Sequence, residues 1–242
     1  MLPFRLTTWS AWSSVHDTPE QWLRWAGVDQ DNPANVGRAL APTPAMMRRR
    51  ATSLGQRGLS AALALPTVDR ARITLASRHG EFARTLAILD TVIRRDQPSP
   101  TDFSMSVHNA LIGLISIARK NTLGHTAISA GSESFCSGML ETAAALRERP
   151  QEPAILLYLD EPPGGGFSKL LPEEHCRSSF VLALGLAGPE SAEGEKMSLT
   201  LRAASGDPNA SDPALEFLKF AIARDEELGI TCGNHQWVWR RG

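Results

Sequence analysis

The chain has 242 residues, of which 42% are hydrophobic, and its formal net charge is -1. This composition supports a buried core and excludes a disordered or fibrous chain, and its charge balance lacks the positive field that nucleic-acid binders need. No apolar run approaches the roughly 20 residues that span a bilayer, and the N-terminus lacks a secretory signal. Three cysteines without framework spacing favour reduced thiols. We therefore expect a one-domain cytoplasmic protein with no transmembrane segment and no nucleic-acid partner.

The first predicted elements are a strand and a long helix. Residues 3–12 carry β-branched and aromatic side chains in partial alternation, which predicts a strand at or near a sheet edge. Residues 29–44 are rich in Pro, Asn, Asp and Gly and predict an irregular loop. Apolar residues at helical spacing over 45–65 predict one helix, which Pro66 ends.

Strands and helices then alternate. The predicted strands are 72–77 and 126–129, and the predicted helices are 81–96, 106–120 and 133–149. The helix over 106–120 is apolar nearly all round, as expected of a helix buried inside a larger assembly. This alternation predicts an α/β sheet with helices on both faces.

The C-terminal part predicts fewer helices. Its expected elements are a buried strand over 154–159, an antiparallel hairpin of 179–186 with 196–203, a helix from Pro213 to about 227, and a final strand over 237–240. Ser211 or Asp212 is the expected cap of that helix, and Gly229 follows its end.

One segment carries most of the functional information. Residues 106–138 have the sequence SVHNALIGLISIARKNTLGHTAISAGSESFCSG. This segment resembles the central motif of the thiolase-like ketosynthases, in which a buried helix leads to a short strand and a tight turn that presents a nucleophilic cysteine. A thiol at a helix N-terminus is activated because the helix dipole stabilises its thiolate. The resemblance puts the position of that cysteine at Gly131, after Ala130, and glycine cannot form an acyl-enzyme.

Three shorter sequence segments make the resemblance more specific. Gly131, Ser132 and Glu133 resemble the Gln-Ser-Glu that chain-length factors carry in place of the ketosynthase cysteine. The strings ASRHGE over 76–81 and SPTDFS over 99–104 resemble short ketosynthase-like proteins of aryl polyene biosynthetic clusters. The resemblance implies a thiolase-like fold, corresponding to the N-terminal half of a ketosynthase, with a truncated or minimal second half.

The chain departs from a complete ketosynthase in its second half. Ketosynthases take two active-site histidines from that half, but only about 80 residues follow Pro162 here, and neither His175 nor His235 lies in a matching context. We expect one ketosynthase-like domain over 1–242. Its thiolase-like half covers 1–162, and a short hairpin, helix and strand cover 163–242.

The resemblance implies a chain-length-factor subunit without catalytic residues. Such a subunit pairs with an active ketosynthase, as a heterodimer or higher oligomer, and shapes the tunnel for acyl chains delivered by an acyl carrier protein in polyene or fatty-acid-like biosynthesis. No cofactor is predicted. The residues expected at the tunnel or the partner interface are His108, Asn109, Gly131, Ser132, Glu133 and Ser134.

An enzymatic alternative stays open at this point. A small acyl-thioester hydrolase or transferase would use Ser132, Ser134 or Cys136 with His108. The chain has no Gly-x-Ser-x-Gly elbow, and Cys136 lies far enough into its predicted helix to favour a buried, inert thiol. A homo-oligomeric scaffold without an acyl ligand is a third possibility.

Two further clusters have weaker interpretations. Arg48, Arg49 and Arg50 predict either a docking surface for an acidic carrier protein or a solvated helix face. The pair His175 and Cys176, with Cys232 and His235, offers four metal ligands, but adjacent ligands fit tetrahedral zinc poorly. No metal site is therefore predicted.

Overall fold

A mixed eight-stranded sheet is the centre of the described part of the chain. The computed structural model describes residues 1–29, 36–164, 167, 169, 178–204 and 211–242. The strands are β1 Leu2–Ser13, β2 Arg72–Ala76, β3 His125–Ile128, β4 Ala154–Asp160, β5 Phe180–Ala187, β6 Glu195–Ala203, β7 Glu227–Cys232 and β8 His235–Arg241. Their order is β3-β2-β4-β5-β1-β6-β8-β7. The pairs β3–β2 and β2–β4 are parallel, and the other pairs are antiparallel.

Helices cover both faces of this sheet, as predicted. They are α1 Pro19–Trp25, α2 Ala45–Arg48, α3 Ser53–Leu63, α4 Phe82–Ile93, α5 Pro100–Met105, α6 Ala110–Arg119, α7 Ser134–Glu148 and α8 Pro213–Ala223. Buried residues of α3 and α6 form one hydrophobic core with one face. Buried residues of α1, α7 and α8 form a second core with the other face. The architecture is the thiolase-like α/β arrangement expected from the sequence.

Strand β4 shows why the centre of the sheet is apolar throughout. Ile155 and Leu157 belong to the core under α3 and α6, whereas Leu156 and Tyr158 belong to the core under α7. Successive side chains of a strand point to opposite faces. A strand covered by helices on both faces is therefore continuously hydrophobic.

The structure corrects the predicted positions of three strands. β1 lies between β5 and β6 rather than at an edge. β5 and β6 therefore each pair with β1 and do not form a hairpin with one another. Proximity in sequence favours a hairpin of β5 with β6, but the long β1 buries side chains on both of its faces and pairs along both of its edges.

The structure also corrects two predicted helices. The single helix over 45–65 is divided into α2 and α3, because the side chain of Thr52 caps a new helix by accepting a hydrogen bond from the amide of Gly55. Helix α8 ends at Ala223, before a left-handed Arg224 with φ +62°. The predicted end of that helix instead belongs to β7, which forms a hairpin with β8.

Gly138 allows α7 to lie close to the sheet. A Cβ atom at Gly138 would lie 2.7 Å from the Cβ of Ala76 and 2.9 Å from Cδ1 of Leu156. We expect Gly138→Ala to lower the free energy of unfolding by about 1–3 kcal/mol, because overpacking outweighs the better helix propensity of alanine.

Urea denaturation checks this prediction, and Gly113→Ala in α6 is the matched control. A Cβ at Gly113 would meet no atom within 4 Å, so this helical substitution should be neutral or stabilising by about 0.4–1 kcal/mol. Equal effects at the two glycines would contradict the close approach of α7 to β2.

Candidate functional site

The carboxyl ends of the three parallel strands form the candidate site. Residues 77–80 follow β2, residues 129–131 follow β3, and residues 160–161 lie at the end of β4. The amide of Ser77 donates to the carbonyl of Ile128, and the hydroxyl of Ser129 donates to the carbonyl of Arg78 at 3.1 Å. In open α/β sheets this edge is the usual location of ligands.

Gly131 occupies a sharp turn between β3 and α7. Its φ is +59°, in the left-handed region, and a Cβ built on it would meet no atom within 4 Å. Ser134, the first residue of α7, closes the turn: its hydroxyl accepts from the amide of Ala130 at 3.0 Å and donates to the carbonyl of Gly131 at 2.8 Å. The turn is thus a fixed elbow with open space where a nucleophilic side chain would project.

The β7–β8 hairpin supports this elbow from the C-terminal part of the chain. The thiol of Cys232 donates to the carbonyl of Ser132 at 3.2 Å. Nδ1 of His235 lies 2.9 Å from Oε1 of Glu133. Gly233 in the hairpin turn leaves room for this carboxylate, since a Cβ there would lie 2.9 Å from the same oxygen. Ser132 therefore contacts the hairpin through its backbone carbonyl, and Glu133 contacts it through its side-chain carboxylate.

Helix α7 begins inside the second core. The ring of Phe135 contacts the rings of Tyr158, Phe217 and Trp239 at centroid distances of 5.6, 5.5 and 6.4 Å. The next residue, Cys136, is fully buried. Burial raises the pKa of the Cys136 thiol well above its ordinary value, and the neighbouring Cys232 raises it further. Cys136 is a core thiol without the properties of a nucleophile.

A histidine–carboxylate pair lies beside the elbow. Nδ1 of His79 is 3.2 Å from both carboxylate oxygens of Asp160, and the backbone amide of His79 also donates to Asp160 at 3.0 Å. Glu161 follows directly, and its pKa is raised, first by burial and then by the charges of Glu81 and Asp160. The pair links the loop after β2 to the end of β4.

Arg84 connects two helices, α4 and α5, to the segment between α2 and α3. Its guanidinium forms ion pairs with Asp102 and with Glu81, and it donates to the carbonyl of Arg50 at 2.8 Å. Glu81 is buried, which raises its pKa, while hydrogen bonding to Thr52 and the charge of Arg84 oppose that rise. These contacts fix α4 and α5 beside the site.

The residues predicted for the tunnel or interface fall into two groups. Gly131, Ser132, Glu133 and Ser134 form the elbow. His108 instead packs against Gly80, where an added Cβ would approach its ring to 2.8 Å, and Asn109 is exposed at the start of α6.

The enzymatic alternative has no support in this geometry. No hydrogen bond among the described residues joins His108 to Ser132, Ser134 or Cys136. Ser134 is engaged in the elbow, and Cys136 is buried with a raised pKa.

Arg48, Arg49 and Arg50 are exposed at and after the end of α2. None of their guanidinium groups forms an ion pair with another residue in the described part of the chain. Their side chains are therefore directed to solvent, which is compatible with both interpretations of this cluster.

The described residues contain no group of three or more His, Cys, Asp or Glu side chains arranged for a metal ion. His175 and Cys176 lie outside the described residues. Within the described ranges, no helix is long and apolar enough to cross a membrane.

The sequence interpretation missed the His79–Asp160 pair, Arg84 and the contact between His235 and Glu133. Asp160 ends an apolar strand, and His79 lies three residues after another. Polar residues at the carboxyl ends of parallel strands meet at one edge, so this rule could have grouped His79 with Asp160. The contact with His235 crosses 102 residues of sequence and had no local signal.

Comparisons with known proteins agree with this architecture. Residues 22–240 match the family model described as beta-ketoacyl synthase, N-terminal domain. No curated protein matches the sequence. A structure titled as the ketosynthase ApeO in complex with its chain length factor ApeC, from Xenorhabdus doucetiae, is similar over 100% of both chains, with 24% identity and a TM-score of 0.84.

Two other solved structures are more distant. The ishigamide ketosynthase/chain length factor aligns with 84% of this chain and 68% of its own, with 14% identity and a TM-score of 0.64. A beta-ketoacyl synthase from Burkholderia phymatum STM815 aligns with 93% and 71%, with 10% identity and a TM-score of 0.58. At these identities the structures show the common fold, and the family match covers most of the sequence. The chain belongs to the family of the beta-ketoacyl synthase N-terminal domain.

Proposed function

We propose that this chain is a non-catalytic, chain-length-factor-like subunit that pairs with an active ketosynthase. The observation that carries the proposal is the elbow at Gly131, which keeps the turn between β3 and α7 but has no side chain to form an acyl-enzyme. The nearest thiol in sequence, Cys136, is buried, so it cannot replace the missing nucleophile. In this proposal the partner supplies the cysteine and the histidines.

The partner surface of the proposal lies at the β3 end of the sheet. β3 is an edge strand among the described residues, and unpaired strand edges invite pairing with another chain. The three helices between β2 and β3 expose large apolar side chains, including Ile93 of α4 at 79%, Phe103 of α5 at 68% and Ile117 of α6 at 69%. Helix α4 buries none of its residues. Large exposed apolar side chains of this kind are typical of a protein–protein interface.

The proposal assigns roles to the predicted residues. His108, Asn109 and residues 131–134 would lie at the tunnel wall or the interface, and Arg48–Arg50 would dock the acidic carrier protein that delivers acyl chains. The structures named above as ketosynthase/chain length factor complexes support such pairing by analogy of fold. The product class would be a polyene or fatty-acid-like chain. We also propose that 1–162 and 163–242 act together as one domain, consistent with the sheet that includes strands from both.

The interface is tested by Phe103→Asp. Phe103 is exposed, so the variant should fold. The added charge should weaken binding of the partner by more than about tenfold, because substitutions at the centre of an interface commonly cost more binding free energy than one tenfold change in affinity. Co-purification with the tagged ketosynthase measures the effect.

Leu201→Asp is the control for that experiment. Leu201 is also an exposed apolar residue, at 41%, but it lies on β6, away from β3. Loss of the partner in both variants, or in neither, would contradict the assigned surface.

A further inference from the structure

A cavity of about 310 Å³ lies on the opposite half of the sheet from β3. Its floor is formed by Leu6 and Trp9 of β1, and its sides by Leu23 of α1 and Ile222 of α8. All four side chains are buried. We infer that this cavity, called the α1–α8 cavity below, binds an aliphatic carboxylate.

The α1–α8 cavity opens partly to solvent and is large enough for a small ligand. An apolar cavity of about 150 Å³, half this size, is large enough to hold benzene. At about 30 Å³ for one water molecule or one similarly sized chain atom, the cavity has room for a chain of about eight to ten carbons.

Two charged residues also line the α1–α8 cavity. They are Glu195 and Arg224, which form an ion pair at 2.9 Å. Glu195 also pairs with Arg241, whose guanidinium donates to the carbonyls of Phe220 and Ala221 at 2.9 and 3.0 Å. Glu195 would therefore keep one cationic partner if Arg224 turned to an anionic ligand. Predominantly apolar walls with a few charged groups are the usual composition of a ligand site.

The inference is independent of the proposed pairing function. In the order of the sheet, β1 lies four strands from β3. Among the described residues, those that line the α1–α8 cavity include none of residues 131–134 and none from α4, α5 or α6. A carboxylate bound there would neither touch residues 131–134 nor occupy the proposed partner surface.

Calorimetric titration of the purified full chain with sodium decanoate, below its micelle concentration, tests the inference. We expect saturable binding with one site per chain. Val28→Trp places a large side chain into the cavity that Val28 lines, and it should abolish binding. Leu201→Trp, on the exposed face of β6, should leave the affinity unchanged.

The Arg224→Gln variant distinguishes recognition of the ligand's carboxylate from binding of its aliphatic chain. This exposed substitution should weaken decanoate about tenfold, because a charged hydrogen bond is lost, and should leave the affinity for decan-1-ol unchanged. Circular dichroism confirms that each variant folds. Absence of saturable decanoate binding, or equal affinity in the wild type and Val28→Trp, would overturn the inference. An equal loss of both ligands in Arg224→Gln would overturn the role of Arg224.

Discussion

The Gly131→Cys/Cys176→Ser double variant should react with iodoacetamide at least about 100-fold faster than the Cys176→Ser single variant. Such a ratio corresponds to a free-energy difference of about 2.8 kcal/mol. The background change removes the cysteine that lies outside the described residues. The two remaining natural thiols, Cys136 and Cys232, are buried, and they can react only when the structure opens.

The expected difference follows from the elbow. A side chain at Gly131 would extend into open space at the turn before α7, where the helix dipole and free amides favour a thiolate. The pKa of Cys136, by contrast, is raised by its burial. Because φ at Gly131 is +59°, a non-glycine residue there should cost about 1–2 kcal/mol of stability.

Mass spectrometry of the alkylated protein identifies the modified site over time, and Gly131→Ser is the matched control. That variant carries the same backbone strain without a thiol, so it should remain unlabelled under native conditions. Rapid alkylation of Cys136 in the native protein would contradict the account and would restore the thiol-enzyme alternative.

The Phe135→Ala variant should lose about 3–5 kcal/mol of unfolding free energy, as is typical when a buried phenylalanine is truncated. Phe135 is 1% exposed and contacts three aromatic rings, from β4, α8 and β8. Its removal would leave a cavity beneath the first turn of α7. The elbow at Gly131 should therefore loosen together with the core.

Phe103→Ala is the matched control, since Phe103 is 68% exposed and its truncation in the isolated chain should change stability by no more than about 0.5 kcal/mol. Chemical denaturation of both variants measures the difference. A similar small loss in both would contradict the central position of Phe135.

The two aromatic residues also illustrate how far sequence patterns determine this fold. Apolar spacing located Phe135 on a helix and Ile155 to Leu157 on a buried strand, because local periodicity directly reflects burial. Helical spacing also puts Leu89 and Ile93 of α4 on one apolar face, but both residues are exposed. Periodicity identifies an apolar face but does not specify whether its partner lies in the same chain.

Non-local pairing could not be predicted in the same way. β1 was expected near an edge, but it separates β5 from β6. This arrangement depends on pairing between strands that lie more than 160 residues apart in sequence. At the candidate site, the position of Gly131 followed from its resemblance to the ketosynthase motif. The support that His235 and Cys232 give to that turn depends on the β7–β8 hairpin, which the sequence interpretation placed partly in a helix.

In the proposed function, this chain has no condensing activity itself and controls the product of its partner. We would co-purify this chain with the ketosynthase encoded nearest to it and then assay condensation of carrier-bound acyl chains with and without this subunit. We expect a stable heterodimer whose product length depends on this chain, and we expect this chain alone neither to take up nor to release acyl groups. A chain that remains separate from the ketosynthase and turns over acyl thioesters on its own would contradict the proposed function.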